Sequence, residues 1–237
     1  MRAHDRILVA LDFDNATDAV NLAKKLVGKV GGFKVGLELV NAAGFEIFDR
    51  LNDVGAGRIF YDAKFHDIPN TVAGAVRAAA RRGVWMVNVH ACGGSAMLQA
   101  AREAADCVPQ PPLLIAVTVL TSIDDARLNA ELRVPGTAET HVTHLARLAK
   151  DSGCDGVVAS PLELLEIRNA CGQSFVTVIP GVRPTGVSAN DQARVATPGK
   201  AVADGATYLV IGRAITASAD PVAAADSISR EIEGNTR

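Results

Sequence analysis

The chain has 237 residues, 49% hydrophobic and 21% charged, and its 24 Lys and Arg against 26 Asp and Glu give a formal net charge of −2. This excludes a disordered, collagenous or disulfide-scaffold chain, and offers no global field to recruit nucleic acid or an anionic membrane. The four widely spaced cysteines (Cys92, Cys107, Cys154 and Cys171) make no C-x-x-C pair, and no apolar stretch nears the roughly 20 residues that span a bilayer, so a cytoplasmic protein with reduced thiols is expected.

In chain order, the first strand-like run is Ile7–Phe13; its apolar part stops at Asp12 and is too short for a signal peptide. Ala19, Leu22, Ala23, Leu26 and Val27 then form the stripe of an amphipathic helix. A second strand, Phe33–Leu39, precedes a helix marked by Phe45, Phe48 and Leu51, and a third strand follows at Ile59–Phe65. An Ala-rich helix over Thr71–Arg82, a strand at Trp85–Ala91, a helix over Ser95–Asp106 and a strand at Leu113–Leu120 continue the alternation. Leu145, Leu148 and Ala149 mark a further helix before strands at Gly156–Ser160, Phe175–Ile179 and Tyr208–Ile211. Asp220-Pro221 has the form of an N-cap followed by proline at the first helical position.

Several of these strands are almost continuously apolar, as parallel strands buried on both faces are. Eight of them alternating with helices predict an α/β chain folded as a single (β/α)8 TIM barrel domain over residues 1–237. The competitor is a doubly wound open sheet, which carries a glycine-rich turn after its first strand; this chain has Asp12-Phe13-Asp14-Asn15 there. Two loops, Thr121–Gly136 and Gly181–Gln192, exceed the usual βα connection. Both fall at the C-terminal face, where barrel sites are built, and suggest a lid or ligand clamp, with plain structural insertions as the alternative.

The informative anomaly is charge inside strands. Asp62 and Lys64 stand two residues apart in the third strand, so both should leave the same face. Asp67 follows in the turn, Asp12 ends the first strand and Lys34 sits in the second. Burying an ion costs several kcal/mol unless partners offset it, so five charges at three strand ends point to chemistry more than to a salt-bridge lattice. Carboxylates around an ammonium favour its charged form, which suits a lysine to give a proton rather than attack as an amine. The second anomaly is an anion cradle: Pro180-Gly181-Val182-Arg183-Pro184 follows the seventh strand and Gly212-Arg213 ends the eighth. Barrels commonly hold phosphate with these two loops.

Asp62-Ala63-Lys64-Phe65-His66-Asp67-Ile68-Pro69-Asn70-Thr71 resembles the D-x-K-x-x-D-I-P-x-T signature of the bacterial orotidine 5'-phosphate decarboxylase family. Val89–Gly94, Val117–Ser122 and Pro180–Pro184 through Asp191-Gln192 are similar to further family segments, and the likeness runs from Ile7 to Pro221. The resemblance implies a cofactor-independent and metal-independent decarboxylation of orotidine 5'-phosphate to UMP in pyrimidine biosynthesis. It implies Lys64 as the proton donor to C6, Asp62 beside the departing carboxylate, and Lys34 and Asp12 completing the charge network and holding the ribose hydroxyls. It implies a homodimer in which Asp67 and Thr71 reach into the neighbouring subunit's site, with Ile68 also against substrate. Thr121 would contact the pyrimidine, and Gln192, Gly212 and Arg213 would bind the phosphate with Arg183 at the same end. Ala159-Ser160-Pro161-Leu162 departs from the family pattern but matches no site residue.

Other features have plainer readings. His66 should point away from Lys64 by strand parity, His90 ends the fourth strand, and both suit structural roles. His141 and His144 share a helix face without further ligands nearby, and Asp124-Asp125 has the look of a solvated loop pair. A magnesium-dependent sugar-phosphate lyase or aldolase of the same barrel superfamily shares D-x-K-x-x-D, but places a metal-binding Glu where this chain has Lys34, and an ammonium cannot ligate Mg2+. A non-catalytic phosphate-binding barrel is the remaining alternative; it needs only the phosphate end and not the charged set.

Overall fold

The computed structural model describes residues 1–184 and 196–235. Its strands are β1 (Ile7–Ala10), β2 (Gly32–Gly36), β3 (Ile59–Phe65), β4 (Met86–His90), β5 (Leu113–Val117), β6 (Gly156–Val158), β7 (Val176–Ile179) and β8 (Tyr208–Ile211). Each pairs in parallel with the next, and β8 returns to β1, closing the barrel. The expected (β/α)8 architecture is therefore present.

Strand alternation divides the side chains into two populations. Leu8, Phe60, Met86, Ile115, Val178 and Tyr208 turn inward and fill the foot of the barrel. Trp85 meets Tyr208 edge-on at 5.2 Å, and the Arg58 guanidinium lies 5.2 Å over the Trp85 ring. The alternate residues, such as Val9, Phe33, Val35, Val87 and Leu209, face outward and pack against the helices. Helix Ala16–Leu26 contributes Ala19, Leu22, Ala23 and Leu26 to that layer, as its periodicity predicts. Its N-cap is Asn15, whose Oδ1 accepts from the Asp18 N–H at 2.9 Å. Asp220 likewise caps helix Pro221–Gly234, accepting from Val222 and Ala223.

The apolar plug leaves the inward positions one step further along the strands free for polar groups. Strands 1, 2, 5 and 6 end earlier than the sequence suggests because the chain leaves the ladder at this rim. In the second case Leu37-Glu38-Leu39 opens helix Leu37–Ala43 instead, a stretch too short for periodicity to assign. Asp124 and Asp125 are both exposed, as a solvated pair should be, and each also has a structural partner. Asp124 caps helix Asp125–Ala130 by accepting from the Arg127 N–H at 2.8 Å, and Asp125 accepts from the Ala138 N–H at 2.7 Å. The two carboxylates thus brace the Thr121–Gly136 loop. Of the second long loop, Gly181–Pro184 is described: Val182 bridges to Ala196 and the Arg183 N–H donates to the Ala196 carbonyl at 3.0 Å.

Candidate active site

The C-terminal mouth of the barrel opens into a cavity of about 530 Å³. One wall carries a chain of alternating charge drawn from β1, β2 and β3. The Lys34 Nζ stands 2.9 Å from Asp12 Oδ1 and 3.4 Å from Asp62 Oδ2, and the Lys64 Nζ donates to Asp62 Oδ1 at 2.7 Å. Lys34 and Asp62 are buried, whereas about a third of the Lys64 side chain remains exposed to the cavity, at 34%. Four of the five charges singled out in the sequence therefore meet at one place.

The electrostatics follow from that geometry. Burial works against the charge on Lys34, but the carboxylates of Asp62 and Asp12 outweigh it and hold its pKa above the usual lysine value. Burial likewise opposes ionisation of Asp62; Lys34, Lys64 and the hydrogen bonds from Lys64 and Asn88 overcome it and pull that carboxyl below the usual aspartate value. Removing either ammonium leaves a buried carboxylate with half its compensation.

The third strand does not reach this arrangement by simple alternation. From Tyr61 to Phe65 it advances four residues while β4 advances two, Val87 to Val89. Lys64 occupies the bulge with φ +51°, the left-handed region that non-glycine residues seldom enter. Asn88, wholly buried on β4, bridges the irregularity: its Oδ1 accepts from the Lys64 N–H at 2.7 Å and its Nδ2 donates to Asp62 Oδ1 at 2.7 Å. Sequence reasoning missed Asn88. The signal was present as one amide in the otherwise apolar Met86-Val87-Asn88-Val89 run. Glu38, on the helix after β2, also lines the cavity and was not singled out.

A further stretch of wall, adjoining β1, belongs to the last two strands. Gly181, Arg183, Gly212 and Arg213 line the cavity there, and Thr121 lines it after β5. Gly181 has φ +78°, a conformation that admits glycine readily and brings bare backbone to the rim. Gln192 lies outside the described residues. Asp67, Ile68 and Thr71 are exposed and do not line this cavity; the Asp67 Oδ1 accepts from the Ile68 N–H at 2.6 Å, at the start of helix Pro69–Arg81. One chain thus brings together the charge network, Thr121 and the anion cradle, and leaves the second half of the signature on its surface.

The histidines stand aside from the network. His66 is exposed, with its Nε2 3.9 Å from the Cys92 Sγ and its ring 5.4 Å from that of His90. Burial, then the neighbouring His66 and Lys64, push the His90 pKa below the usual histidine value. His141 and His144 stack at 6.3 Å on helix Ala138–Asp151. Among the described residues no three His, Cys, Asp or Glu side chains cluster as metal ligands, and no helix is long and apolar enough to cross a membrane.

A cavity lined by an ammonium–carboxylate chain from β1–β3 and, beside it, by glycine backbone and two arginines at the ends of β7 and β8 suits a small anionic ligand. Comparison with known proteins points the same way. Residues 5–228 match the model of the orotidine 5'-phosphate decarboxylase / HUMPS family. The orotidine 5'-phosphate decarboxylase of Moorella thermoacetica is 53% identical, with 98% of this chain and 94% of the relative covered. That of Alkalilimnicola ehrlichii is 50% identical, with 97% of each covered. The crystal structure of the Lactobacillus acidophilus orotidine 5'-phosphate decarboxylase superposes with a TM-score of 0.81 at 38% identity, covering 95% of this chain and 98% of that one.

Proposed function

The chain belongs to the orotidine 5'-phosphate decarboxylase / HUMPS family, and from that premise we propose that it converts orotidine 5'-phosphate to UMP and CO2 in pyrimidine biosynthesis, without metal or organic cofactor. The observation that carries the mechanism is the Lys64 ammonium, held 2.7 Å from Asp62 and facing the cavity.

The substrate phosphate sits at Gly212 and Arg213, with Arg183 at the same end; Gln192, outside the described residues, is assigned to the phosphate on the family resemblance alone. Asp12 and Lys34 take the ribose hydroxyls, Thr121 the pyrimidine, and the C6 carboxylate lies beside Asp62. The C6–carboxylate bond breaks, its electron pair stays on C6 and CO2 leaves. Lys64 then delivers a proton to C6, giving UMP and a neutral amine that regains its proton from water. The carbanion is of vinyl type and has no ring orbital to delocalise into. A barrier reduction in the upper part of the roughly 8–23 kcal/mol that enzymes supply is therefore required. A preorganised ammonium at C6 supplies electrostatic stabilisation and the proton with one group. Binding energy from the remote phosphate helps to hold the reacting end in place; repulsion between Asp62 and the substrate carboxylate is secondary.

The reading extends to assembly. The whole chain acts as one barrel domain in a cytoplasmic homodimer, with Asp67, Ile68 and Thr71 of each subunit completing the partner's site. Their exposure in the single chain supports this: a signature segment with an apolar side chain as exposed as Ile68, at 66%, is suited to a second surface. The test is to mix the protein with orotidine 5'-phosphate in excess EDTA and follow the loss of substrate ultraviolet absorbance. Turnover is expected; no turnover, or turnover only after Mg2+ is added, overturns the reading.

A further inference from the structure

Resting on the decarboxylase reading, we propose that Asn88 is a positioning residue for the reaction: one buried amide fixes both the direction of the Asp62 carboxylate and the backbone bulge that aims the Lys64 ammonium. Asn88 touches neither substrate nor reacting atoms; it acts through the two residues that do.

Three observations carry this. First, both ends of the amide are used, the Nδ2 on Asp62 Oδ1 and the Oδ1 on the Lys64 N–H, each at 2.7 Å. A buried amide is expensive unless satisfied, and its partners are the two residues that flank the reacting carbon. Second, the bulge removes Lys64 from the regular β3–β4 ladder and holds it at φ +51°. Left-handed backbone at a non-glycine residue persists only when its surroundings over-determine it. The Asn88 carbonyl occupies the place of the missing ladder acceptor and is what pins this peptide. Third, Asp62 Oδ1 receives Lys64 Nζ and Asn88 Nδ2, while Oδ2 faces Lys34 Nζ at 3.4 Å. With each oxygen assigned, the carboxylate cannot rotate without breaking a bond, so Lys64 stays aimed when substrate replaces solvent in the cavity.

The test uses kcat, KM and pH together. Asn88→Ala removes both contacts; kcat should fall about a hundredfold while KM stays within about threefold, because the phosphate end is untouched. Asn88→Asp keeps an acceptor for the Lys64 N–H and loses the donor to Asp62, but the introduced carboxyl donates again once it is protonated. Its deficit relative to the unaltered chain should narrow at least about fivefold from pH 8 to pH 5.5, whereas that of Asn88→Ala stays constant. Val87→Ala, an outward-packed change on the same strand, should lower Tm and leave kcat unchanged. If Asn88→Ala does not fold, the pH dependence of Asn88→Asp decides. An Asn88→Ala kcat within threefold of the unaltered chain, or a pH-independent Asn88→Asp deficit, overturns the inference alone. Absence of turnover by the unaltered chain overturns the functional reading and this inference with it.

Discussion

Replacing Lys34 by methionine takes the central ammonium out of the charge chain and keeps most of its volume. Lys34 is 8% exposed and its Nζ lies 3.4 Å from Asp62 Oδ2. At an effective dielectric of about 20, two unit charges at that separation attract by about 5 kcal/mol. Methionine gives back part of this because it pays no ion desolvation, and Asp12, whose side chain is 53% exposed, can be rehydrated. Asp62 also keeps Lys64 and Asn88. A net loss of about 3 kcal/mol, the low end for breaking a buried pair, is therefore expected. In a chain of this size that lowers Tm by about 6–12 °C. The pH dependence has a definite sign. The Asp62 pKa is lowered from 3.8, so its contribution is present above that value and lost as pH falls through the folded pKa. The Lys34 pKa is raised from 10.5, so its contribution is present below that value and lost as pH rises through the folded pKa. The gap between the two proteins should consequently be flat between about pH 6 and 9 and close below about pH 4, read by calorimetry or urea titration. A Tm within 2 °C of the unaltered chain, or a gap that changes by half between pH 6 and 9, would refute the reasoning, the second because it would implicate a histidine.

Three further outcomes are expected. Arg213→Ala should lower kcat/KM for orotidine 5'-phosphate by about ten- to a hundredfold, corresponding to roughly 1.5–3 kcal/mol for a charge-assisted hydrogen bond; steady-state kinetics showing no change would remove Arg213 from the phosphate end. Arg168 donates to the carbonyls of Gly172, Gln173, Phe175 and Gly205 and to the hydroxyls of Thr177 and Thr207 at the foot of the barrel. Arg168→Met should cost at least about 3 kcal/mol by urea unfolding, through buried acceptors left unpaired, and the folded fraction should keep its kcat within twofold. Lys64→Ala and Asp67→Ala proteins should each be nearly inactive and regain activity on subunit exchange, since one of the two mixed sites then carries neither lesion; no recovery despite verified exchange contradicts the shared site.

Much of the barrel and most of the charge network were legible in the sequence, because each depends on local pattern. Short, nearly continuous apolar runs mark the strands and a 3.6-residue period marks the helices, and charges such as Asp62, Lys64 and Lys34 stand out inside those runs. What was not legible depends on register. Asn88 matters because β3 carries two extra residues against β4, and nothing in Tyr61–Phe65, which has no glycine, announces a left-handed backbone at Lys64. Asp62 and Lys64 do share a face, but through the bulge and not through regular alternation. Asp124 and Asp125 look like free loop charges until the loop folds and presents them with N–H donors from Arg127 and Ala138. Asp67 and Thr71 illustrate the opposite limit: both lie on the surface of the single chain, outside the cavity, and their pattern alone does not show what they touch.

The central claim is that Lys64 gives the proton that replaces CO2 at C6. NMR of UMP formed in D2O with excess EDTA tests it most directly, comparing the unaltered chain with Lys64→Ala. UMP from the unaltered chain should carry deuterium at C6, and Lys64→Ala should be slower by at least about a thousandfold, as loss of combined acid and electrostatic catalysis requires. UMP formed by Lys64→Ala at the unaltered rate, or formed by either protein only after Mg2+ is supplied, would contradict it.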